Sequence, residues 1–419
     1  MPDYKAPLRD MRFVLNEVLD LDGHYAKLGL EEVNSELLNA FLEEGAKFAE
    51  NELSPLNRSG DEEGCGFENG VVTTPKGFKE AYAKYVEGGW PAMGGDPEFG
   101  GQGLPGSSSI AISEMTGTAN WSWSMYPGLS HGAVATIEAH GTDEQKQTYL
   151  PKLTSGEWTG TMCLTEAHCG SDLGLLKTKA EPQADGSYKI TGTKIFISAG
   201  EHDMADNIVH IVLARLPDAP KGTKGISLFI VPKFLTDGNG GVGERNGVAC
   251  GSIEHKMGIK ASATCVMNFD GATGYLIGPE NKGLNCMFTF MNFARLGTAI
   301  QGVAHAELGF QGGLTYAKDR LAMRSLSGAK NADGPADPII VHPDVRRMLL
   351  TSKAFAEGGR ALVYFCAQLG DTVKLAKDEE ERKEADALMA LLTPIAKAFV
   401  TEVGLEAASH GVQIYGGHG

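Results

Sequence analysis

The sequence contains few cysteines and none of the spacings that build disulfide frameworks or zinc sites. Its seven cysteines are scattered and odd in number, and no CxxC occurs. We therefore expect reduced thiols, as in a cytosolic protein. His168 and Cys169 are adjacent, but no second pair stands at ligand spacing. The sequence therefore predicts no metal site.

Long apolar runs and an excess of basic charge are also lacking. No apolar run approaches the length of a membrane span, and the N-terminus MPDYKAPLRDMRF lacks the basic-then-apolar pattern of a signal peptide. We expect a cytoplasmic protein without a membrane span. The net charge of −16 argues against nucleic acid as a partner.

The composition is that of a globular protein with several domains. Hydrophobic residues make up 42% and charged residues 21% of the chain, which is an ordinary balance. A length of 419 residues exceeds what one hydrophobic core usually organises. We therefore look for domain boundaries in the periodicity of the sequence.

Periodicity predicts an α+β protein in three parts, with boundaries at 1–155, 156–278 and 279–419. Apolar residues at helical spacing predict N-terminal helices at 35–51, 76–88, 107–118, 131–141 and 142–150. Runs rich in β-branched residues predict strands at 159–166, 187–198, 207–214, 225–231 and 263–270. No helical pattern separates these strands, so an antiparallel sheet is expected. Helical spacing returns from 280, with further helices at 343–369 and 379–412.

One glycine motif is a false signal. Gly101, Gly103 and Gly106 match GxGxxG, the fingerprint of dinucleotide-binding folds. That motif has meaning only between a strand and a helix. Here it contains Pro105 and has no strand before it. We therefore predict no Rossmann site.

Two strand ends are more informative. The segment TMCLTEAHCGSD, residues 161–172, ends a β-run at Thr165 and continues into a turn of small residues. Such a turn either is simply capped or leaves main-chain N–H groups facing an anion. The strand KIFIS, residues 194–198, ends in a second hydroxyl and carries Phe196. Together the two ends offer the edges and the face that a flat heteroaromatic ring needs.

The C-terminal motif QIYGGHG, residues 413–419, ends a predicted helix with a glycine cluster. One glycine is the usual helix C-cap. Two adjacent glycines are more than a cap needs, and they permit a ligand to approach the backbone closely.

In this order, the segments resemble the acyl-CoA dehydrogenase family of flavoenzymes. The similarity runs from about Gly89 to Gly419, through PEFGGQGLP, TMCLTEAHCGSD, GTKIFISAG, KGISLFIVPK, KMGIKAS, MNFAR and VQIYGGHG. The N-terminal extension and the insert at 67–85 resemble larger bacterial members that act on fatty acyl-CoA or 3-methylmercaptopropionyl-CoA. The resemblance implies a helical domain, a middle β domain and a C-terminal helical bundle.

The same resemblance implies FAD as cofactor and assigns the site residues. Flavin contacts would come from Cys163, Leu164, Thr165, Gly170, Ser171, Phe196, Ile197 and Ser198. Arg320, Gln413, Gly416 and Gly417 would reach a flavin across a subunit interface. Ser171, Asn292 and Arg295 would meet the acyl-CoA. The family often has Pro-Gly-Ala where this chain has Ala167-His168-Cys169.

The activity implied is α,β-dehydrogenation of an acyl-CoA thioester to the trans-2-enoyl-CoA, as in fatty acid β-oxidation. Electrons would pass to an electron-transfer flavoprotein, and a homodimer or tetramer is expected. The family's usual base is a glutamate that would lie beyond Gly419, so we expect the C-terminal domain to be incomplete. The alternative base position is Ala294, and Glu166 belongs to the turn motif. Two alternatives remain: an acyl-CoA oxidase using O2, and a catalytically silent scaffold that binds FAD or CoA.

Overall fold

The computed structural model describes residues 4–238 and 240–419. Residues 1–3 of the predicted N-terminal domain lie outside the described residues. The α-helices are α1 Leu8–Arg12, α2 Leu21–Leu28, α3 Ser35–Phe48, α4 Ser54–Glu63, α5 Phe78–Glu87, α6 Gly106–Ala119, α7 Trp121–His140, α8 Asp143–Ser155, α9 Gly283–Asp319, α10 Pro343–Leu375 and α11 Glu379–Tyr415. The strands are β1 Gly66–Glu68, β2 Val71–Thr73, β3 Trp158–Cys163, β4 Lys179–Pro182, β5 Tyr188–Ser198, β6 Asn207–Ala214, β7 Ser227–Pro232, β8 Phe234–Thr236, β9 Val242–Arg245, β10 Val248–Ile253 and β11 Thr264–Ile277.

Helix α8 begins with a reciprocal cap. The Thr142 hydroxyl accepts a 3.2 Å hydrogen bond from the amide of Gln145, and the Gln145 side chain accepts one from the amide of Thr142. This reciprocal pair satisfies two amides that the first turn leaves unpaired. Gly156 ends the helix with a φ of +83°. The preceding helix is longer than predicted, because it begins at Trp121 and includes Pro127.

Contacts divide the chain into two units, which group the segments differently from the three predicted domains. The first unit comprises Met1–Pro55, Pro105–Trp121 and Arg295–Gly419, and the second comprises Leu56–Leu104 and Ser122–Ala294. The boundaries at 155 and 278 therefore stay a prediction.

Glycines allow two long helices of the first unit to touch backbone to backbone. A Cβ placed on Gly302 of α9 would lie 2.2 Å from the carbonyl oxygen of Val400 on α11. A Cβ on Gly404 would lie 2.5 Å from the carbonyl oxygen of Gly302. Real Cβ atoms do not come that close, so only glycine permits this approach. The glycines that weaken helix propensity here therefore serve packing.

The first unit also encloses a buried ion cluster. Arg360 is fully buried, and its Nη2 contacts Glu114 at 2.6 Å and Glu307 at 2.9 Å. The Tyr364 hydroxyl donates to Glu114 at 2.8 Å. Burying charges costs several kcal/mol each unless they are paired and hydrogen-bonded. This pairing joins α6, α9 and α10 around one charge centre.

The second unit is built on a seven-stranded sheet in the order β3-β6-β7-β11-β5-β4, with β10 paired to β11. All strand pairs in it are antiparallel except β3 with β6, which run parallel. The expectation of a purely antiparallel sheet is therefore wrong. Parallel neighbours need a crossover connection, and here β4 and β5 lie within it. Sequence periodicity does not show which strands become neighbours.

The sheet curls so that edge strand β4 reaches the residue that follows β6. The amide of Ala180, on edge strand β4, donates a 2.8 Å hydrogen bond to the carbonyl of Arg215, just beyond β6. A β-bulge between Phe269 and Ala272 lets β11 continue to Ile277, past the predicted end at 270. Bulges bend strands and increase their twist. Buried aliphatic and aromatic side chains fill the interior, among them Ile190, Val212 and Phe229.

One helix among the described residues has the length and composition to cross a membrane. It spans Glu379–His418, and 28% of its most apolar stretch is buried inside the structure. A core helix of a soluble protein passes the same test. The expected absence of a membrane span therefore stays a prediction.

Candidate functional site

The two strand ends that the sequence singled out lie side by side. The amide of Ile195 donates a 2.9 Å hydrogen bond to the carbonyl of Thr165. The Thr161 hydroxyl donates a 2.7 Å hydrogen bond to the carbonyl of Ser198. These two bonds tie the segment after β3 to the end of β5, although β3 and β5 are not neighbours in the sheet. Thr165 and Ser198 therefore belong to one surface.

A β-bulge presents an aromatic ring on that surface. Lys194 pairs with Met267 and Ile197 pairs with Cys265, so Ile195 and Phe196 together face a single residue of β11. Phe196 has a φ of +58° and its side chain is 58% exposed. Both properties are unfavourable for phenylalanine, and strained bulges occur next to functional sites. The bulge turns an apolar ring outward beside the Thr165 segment.

A buried ion pair holds the Thr165 segment in position. Lys194 is fully buried, and its Nζ lies 2.9 Å from Glu166 Oε1. The same Nζ donates a 2.9 Å hydrogen bond to the carbonyl of Leu164. Thr178 adds hydrogen bonds to Glu166 Oε1 from its amide at 3.0 Å and from its hydroxyl at 2.7 Å. One lysine therefore connects β5 to both sides of Thr165.

These contacts make Glu166 a poor general base. Burial alone would raise the pKa of its carboxyl, but the Lys194 ammonium and the donated hydrogen bonds outweigh burial and lower the pKa to about 2. A general base works best with a pKa near the operating pH. The geometry thus agrees with the assignment of Glu166 to the turn.

The turn after Glu166 leads into two exposed residues. Glu166 and Cys169 exchange hydrogen bonds, from the Glu166 amide to the Cys169 carbonyl at 2.8 Å and from the Cys169 amide to the Glu166 carbonyl at 3.0 Å. This closes a tight turn, after which Gly170 and Ser171 are exposed. The Asp172 side chain caps the next turn by accepting from the Gly174 amide at 3.2 Å. The sequence left two alternatives for this segment, a capped turn or a turn that faces an anion. The structure contains the cap, and the adjoining Gly170 and Ser171 are open to solvent.

Some of the expected flavin contacts are restricted to the main chain. The side chains of Cys163 and Ile197 are almost completely buried in the core of the sheet. They face away from the surface that carries Phe196. Leu164 is half-buried and packs against a second apolar cluster. For these residues only backbone atoms can meet a ligand at the surface.

The residues expected to reach a flavin across subunits cluster in the first unit. The amide of Arg320, just past α9, donates to the Tyr316 carbonyl at 2.8 Å. The Tyr316 ring stacks on Tyr415 with centroids 4.5 Å apart, and its hydroxyl lies 2.9 Å from His418 Nδ1. Arg320 is therefore close to the end of α11, where Gln413, Gly416 and Gly417 are exposed.

Gly416 is required by the backbone at the end of α11. Its φ of +59° and ψ of −126° lie in a region that is essentially restricted to glycine. Its amide donates to the carbonyls of Gln413 and Val412. The predicted role as a C-cap is confirmed, whereas the ligand contact stays a prediction. Asn292 and Arg295 lie one turn apart on α9, and their contact with acyl-CoA also stays a prediction.

Sequence reasoning missed the residues that hold the site together. Lys194 was read as the start of a strand motif, Thr161 as part of a β-run, and Thr178 was not considered. The only signal was a lysine at an inward position of β5, where apolar residues alternate with polar ones. Charged residues are rarely buried without a partner, and the partner could be identified only in three dimensions.

The surface at Thr165, Phe196 and Ser198 fits an isoalloxazine ring. Its exposed phenyl ring offers an apolar face, and Thr165 and Ser198 are half-buried, hydroxyl-bearing residues at the two strand ends. The exposed Gly170-Ser171 stretch adjoins it, as a phosphate-bearing ligand requires. These residues therefore have the types of group that FAD requires.

Comparison with known proteins identifies the family. The family models for the N-terminal, middle and C-terminal domains of acyl-CoA dehydrogenases match residues 35–157, 161–272 and 281–419. The chain is 46% identical over 418 residues to 3-methylmercaptopropionyl-CoA dehydrogenase of Ruegeria pomeroyi, covering 99% of this chain and 70% of that protein. It is 36% identical over 435 residues to a butyryl-CoA dehydrogenase of Syntrophomonas wolfei, covering 100% and 70%. A Bacillus anthracis acyl-CoA dehydrogenase complexed with FAD superimposes with a TM-score of 0.75 at 26% identity, covering 93% of this chain and 61% of that one.

The expectation that the C-terminal helical domain is incomplete is corrected by the same comparison. The C-terminal domain model matches residues 281–419, where α9, α10 and α11 contain 37, 33 and 37 residues. That domain is therefore present in the chain, while the position of the base stays a prediction. With all three domain models matched in order, the chain belongs to the acyl-CoA dehydrogenase family of FAD-dependent oxidoreductases.

Proposed function

We propose that this acyl-CoA dehydrogenase acts on short, unbranched acyl-CoA thioesters, 3-methylmercaptopropionyl-CoA among them. Support comes from two relatives that align over nearly the whole chain and are named for butyryl-CoA and 3-methylmercaptopropionyl-CoA. Both acyl groups are linear, and they differ in length by one chain atom. A hydrophobic pocket discriminates poorly between ligands that differ by a single methylene-sized group. One pocket could therefore serve both substrates.

The observation that carries the reaction type is the joined surface of Thr165, Phe196 and Ser198. FAD bound there would accept a hydride from the β-carbon of the thioester. Phe196 would hold the flavin by its ring face, while Thr165 and Ser198 would orient it through their hydroxyls. The buried Lys194–Glu166 pair would keep the Thr165 segment in place, because its partners leave it little freedom.

The α-proton must be taken by a carboxylate other than Glu166. Four donors already surround Glu166, and its low pKa makes it a weak acceptor. The family resemblance offers two positions for a glutamate base, and one of them falls on residue 294. Ala294, the alternative position, has no group that binds a proton.

The setting of the reaction is proposed on the same grounds. We infer a cytoplasmic enzyme of fatty-acid or thioether-acid β-oxidation that passes electrons to an electron-transfer flavoprotein. A homodimer or tetramer is favoured because the family resemblance assigns Arg320 and Gln413 to the flavin site of a neighbouring subunit.

An anaerobic acyl-CoA series tests this proposal. We expect the bound flavin to bleach with butyryl-CoA and 3-methylmercaptopropionyl-CoA and to bleach less with branched analogues. If none of the thioesters bleaches the flavin, the protein is instead the silent scaffold. Peroxide formed in step with substrate in air would identify an oxidase, because a dehydrogenase needs an added electron acceptor.

A further inference from the structure

The turn between Glu166 and Cys169 brings three metal-ligating side chains together. The ligand atoms of Glu166, His168 and Cys169 all lie within 4.8 Å of one another. His168 Nε2 is 3.6 Å from Glu166 Oε2, which is close to the edge of a tetrahedral coordination sphere with bonds of roughly 2.0–2.3 Å. The paired main-chain hydrogen bonds across the turn hold the positions of Glu166 and Cys169.

One oxygen of the Glu166 carboxylate can still bind a cation. Glu166 Oε1 accepts from Lys194 and twice from Thr178, whereas Oε2 accepts a single 2.7 Å hydrogen bond, from the Lys177 amide. Each carboxylate oxygen offers about two lone-pair positions. Oε2 is also the oxygen nearest His168. A ligand atom is thus present on the correct side of the carboxylate.

The approach to these ligands is open at His168. Its side chain is 39% exposed, whereas Cys169 and Glu166 are buried beneath it. His168 Nε2 lies 2.9 Å from the carbonyl of Leu175, so in the free protein this nitrogen carries the ring proton. A metal at Nε2 would move the proton to Nδ1 and replace that hydrogen bond.

We propose that Glu166, His168 and Cys169 bind a zinc-class divalent cation. Thiolate, imidazole and carboxylate together are the donors that Zn²⁺ takes in proteins, and three protein ligands leave a fourth position for water. The thiol proton and the displaced imidazole proton leave as the metal binds. Family members often have Pro-Gly-Ala at 167–169, and members with that sequence lack two of these three ligands.

Occupancy would inhibit the enzyme, a consequence that rests on the proposed function. Gly170 and Ser171 follow the turn directly and are expected to contact flavin and substrate. Breaking the His168–Leu175 hydrogen bond would release the loop that carries them. We therefore expect Zn²⁺ to slow flavin reduction by acyl-CoA, and a chelator to restore the rate.

Metal binding is tested first without substrate. Flavin-loaded protein is dialysed against Zn²⁺ to measure stoichiometry, and against Co²⁺ to record its ligand-field absorption at wavelengths longer than those of oxidised flavin. We expect one ion per chain with the intensity of a tetrahedral thiolate complex. Cys169→Ala and His168→Gly, which introduce the family's residues, should each weaken binding at least about 100-fold, since even outer partners of metal ligands contribute about 10- to 100-fold.

Cys65→Ser is the matched control, because Cys65 is half-buried and lies outside the turn. It should keep the Zn²⁺ stoichiometry and the Co²⁺ spectrum. Undiminished binding by Cys169→Ala, or no spectrum in the wild type, would overturn the site. Neither measurement requires turnover. The protein can therefore lack the metal site and still show flavin bleaching by acyl-CoA, or bind the metal and show no bleaching.

Discussion

The amide of Ile195 donates a 2.9 Å hydrogen bond to the carbonyl oxygen of Thr165. This bond joins two segments that are far apart in the sequence, and it sits directly beside the strained Phe196 bulge. Lys194, the residue before Ile195, contacts both neighbours of Thr165. The flavin surface therefore depends on a short stretch of β5 holding the loop after β3.

Replacing Glu166 by Gln should destabilise the protein by about 3–5 kcal/mol, because the Lys194 ammonium would stay buried opposite a neutral amide. Urea unfolding at neutral pH measures this change. Glu157→Gln removes one member of a more exposed pair with Lys152 and should cost less than about 1 kcal/mol. Equal losses in the two variants would contradict the role of the buried pair.

The Glu166 carboxylate also predicts a loss of folding stability at low pH. Its pKa falls from an ordinary 4.5 to about 2 on folding, so its contribution to stability is complete above about pH 4.5 and is lost as the pH falls to about 2. Glu166→Gln should therefore flatten the loss of stability in that window. An unchanged slope would mean that the pair is not ionised in the folded state.

Replacing Phe196 by Gly should weaken FAD binding without weakening the fold. Glycine accepts a φ of +58° without strain, and the lost ring is mostly exposed. We expect an unchanged or higher melting temperature and about tenfold weaker flavin affinity, consistent with the loss of an aromatic contact worth about 0.5–1.5 kcal/mol. Flavin fluorescence during dilution measures the affinity.

Ala199→Gly is the control for backbone strain, because Ala199 also has a positive φ, of +53°, but carries no ring. It should keep the flavin affinity of the wild type. If both variants lose flavin equally, the bulge geometry holds the cofactor and the ring does not.

Replacing His210 by Leu should reduce the sensitivity of the fold to mild acid. Burial lowers the pKa of His210 to about 3, and the Lys233 ammonium adds to this effect. The unfolded chain takes up the proton below about pH 6.5 and the folded chain does not, so stability falls between pH 6.5 and 3 by up to about 1.4 kcal/mol per pH unit. His210→Leu should remove the part of the pH dependence of folding stability that comes from His210.

At pH 8 the same substitution should be nearly neutral. His210 Nε2 is buried without a hydrogen-bond partner among the described residues, and Nδ1 has a 4.0 Å contact with Cys163 Sγ. An apolar replacement therefore leaves only a thiol, a weak donor, without its partner. His255→Gln, at an exposed position, should keep the wild-type slope. Chemical unfolding at several pH values distinguishes the two. A large loss of stability in His210→Leu at pH 8 would contradict the neutral buried imidazole.

Replacing Arg320 by Ala should weaken FAD retention by about 10- to 100-fold, because hydrogen bonds to charged groups contribute about 1.5–3 kcal/mol. The Arg320 side chain is exposed and accessible to a ligand. Arg320→Lys should recover part of the affinity, since it keeps the charge but loses the planar fork. Flavin release should depend on protein concentration if the contact crosses subunits, and concentration-independent release would place Arg320 in its own subunit's site.

Prediction from the sequence succeeded where periodicity and caps act locally. The start of α8, the β5 and β6 strands and the long α9 and α11 helices were identified within a few residues. It failed for the parallel β3–β6 pair, because strand order depends on contacts between segments distant in the chain. It also missed the short strands β8 and β9, whose few residues carry too little pattern.

For the site, the sequence by itself determined the types of groups: hydroxyls at Thr165 and Ser198, an aromatic at Phe196 and glycines at 416 and 417. These follow from side-chain chemistry and local turn preferences. Only the tertiary structure decided that Lys194 pairs with Glu166, and that His168 and Cys169 meet that same carboxylate. A buried charge must find its partner wherever the fold brings one within reach, and sequence spacing does not encode that distance.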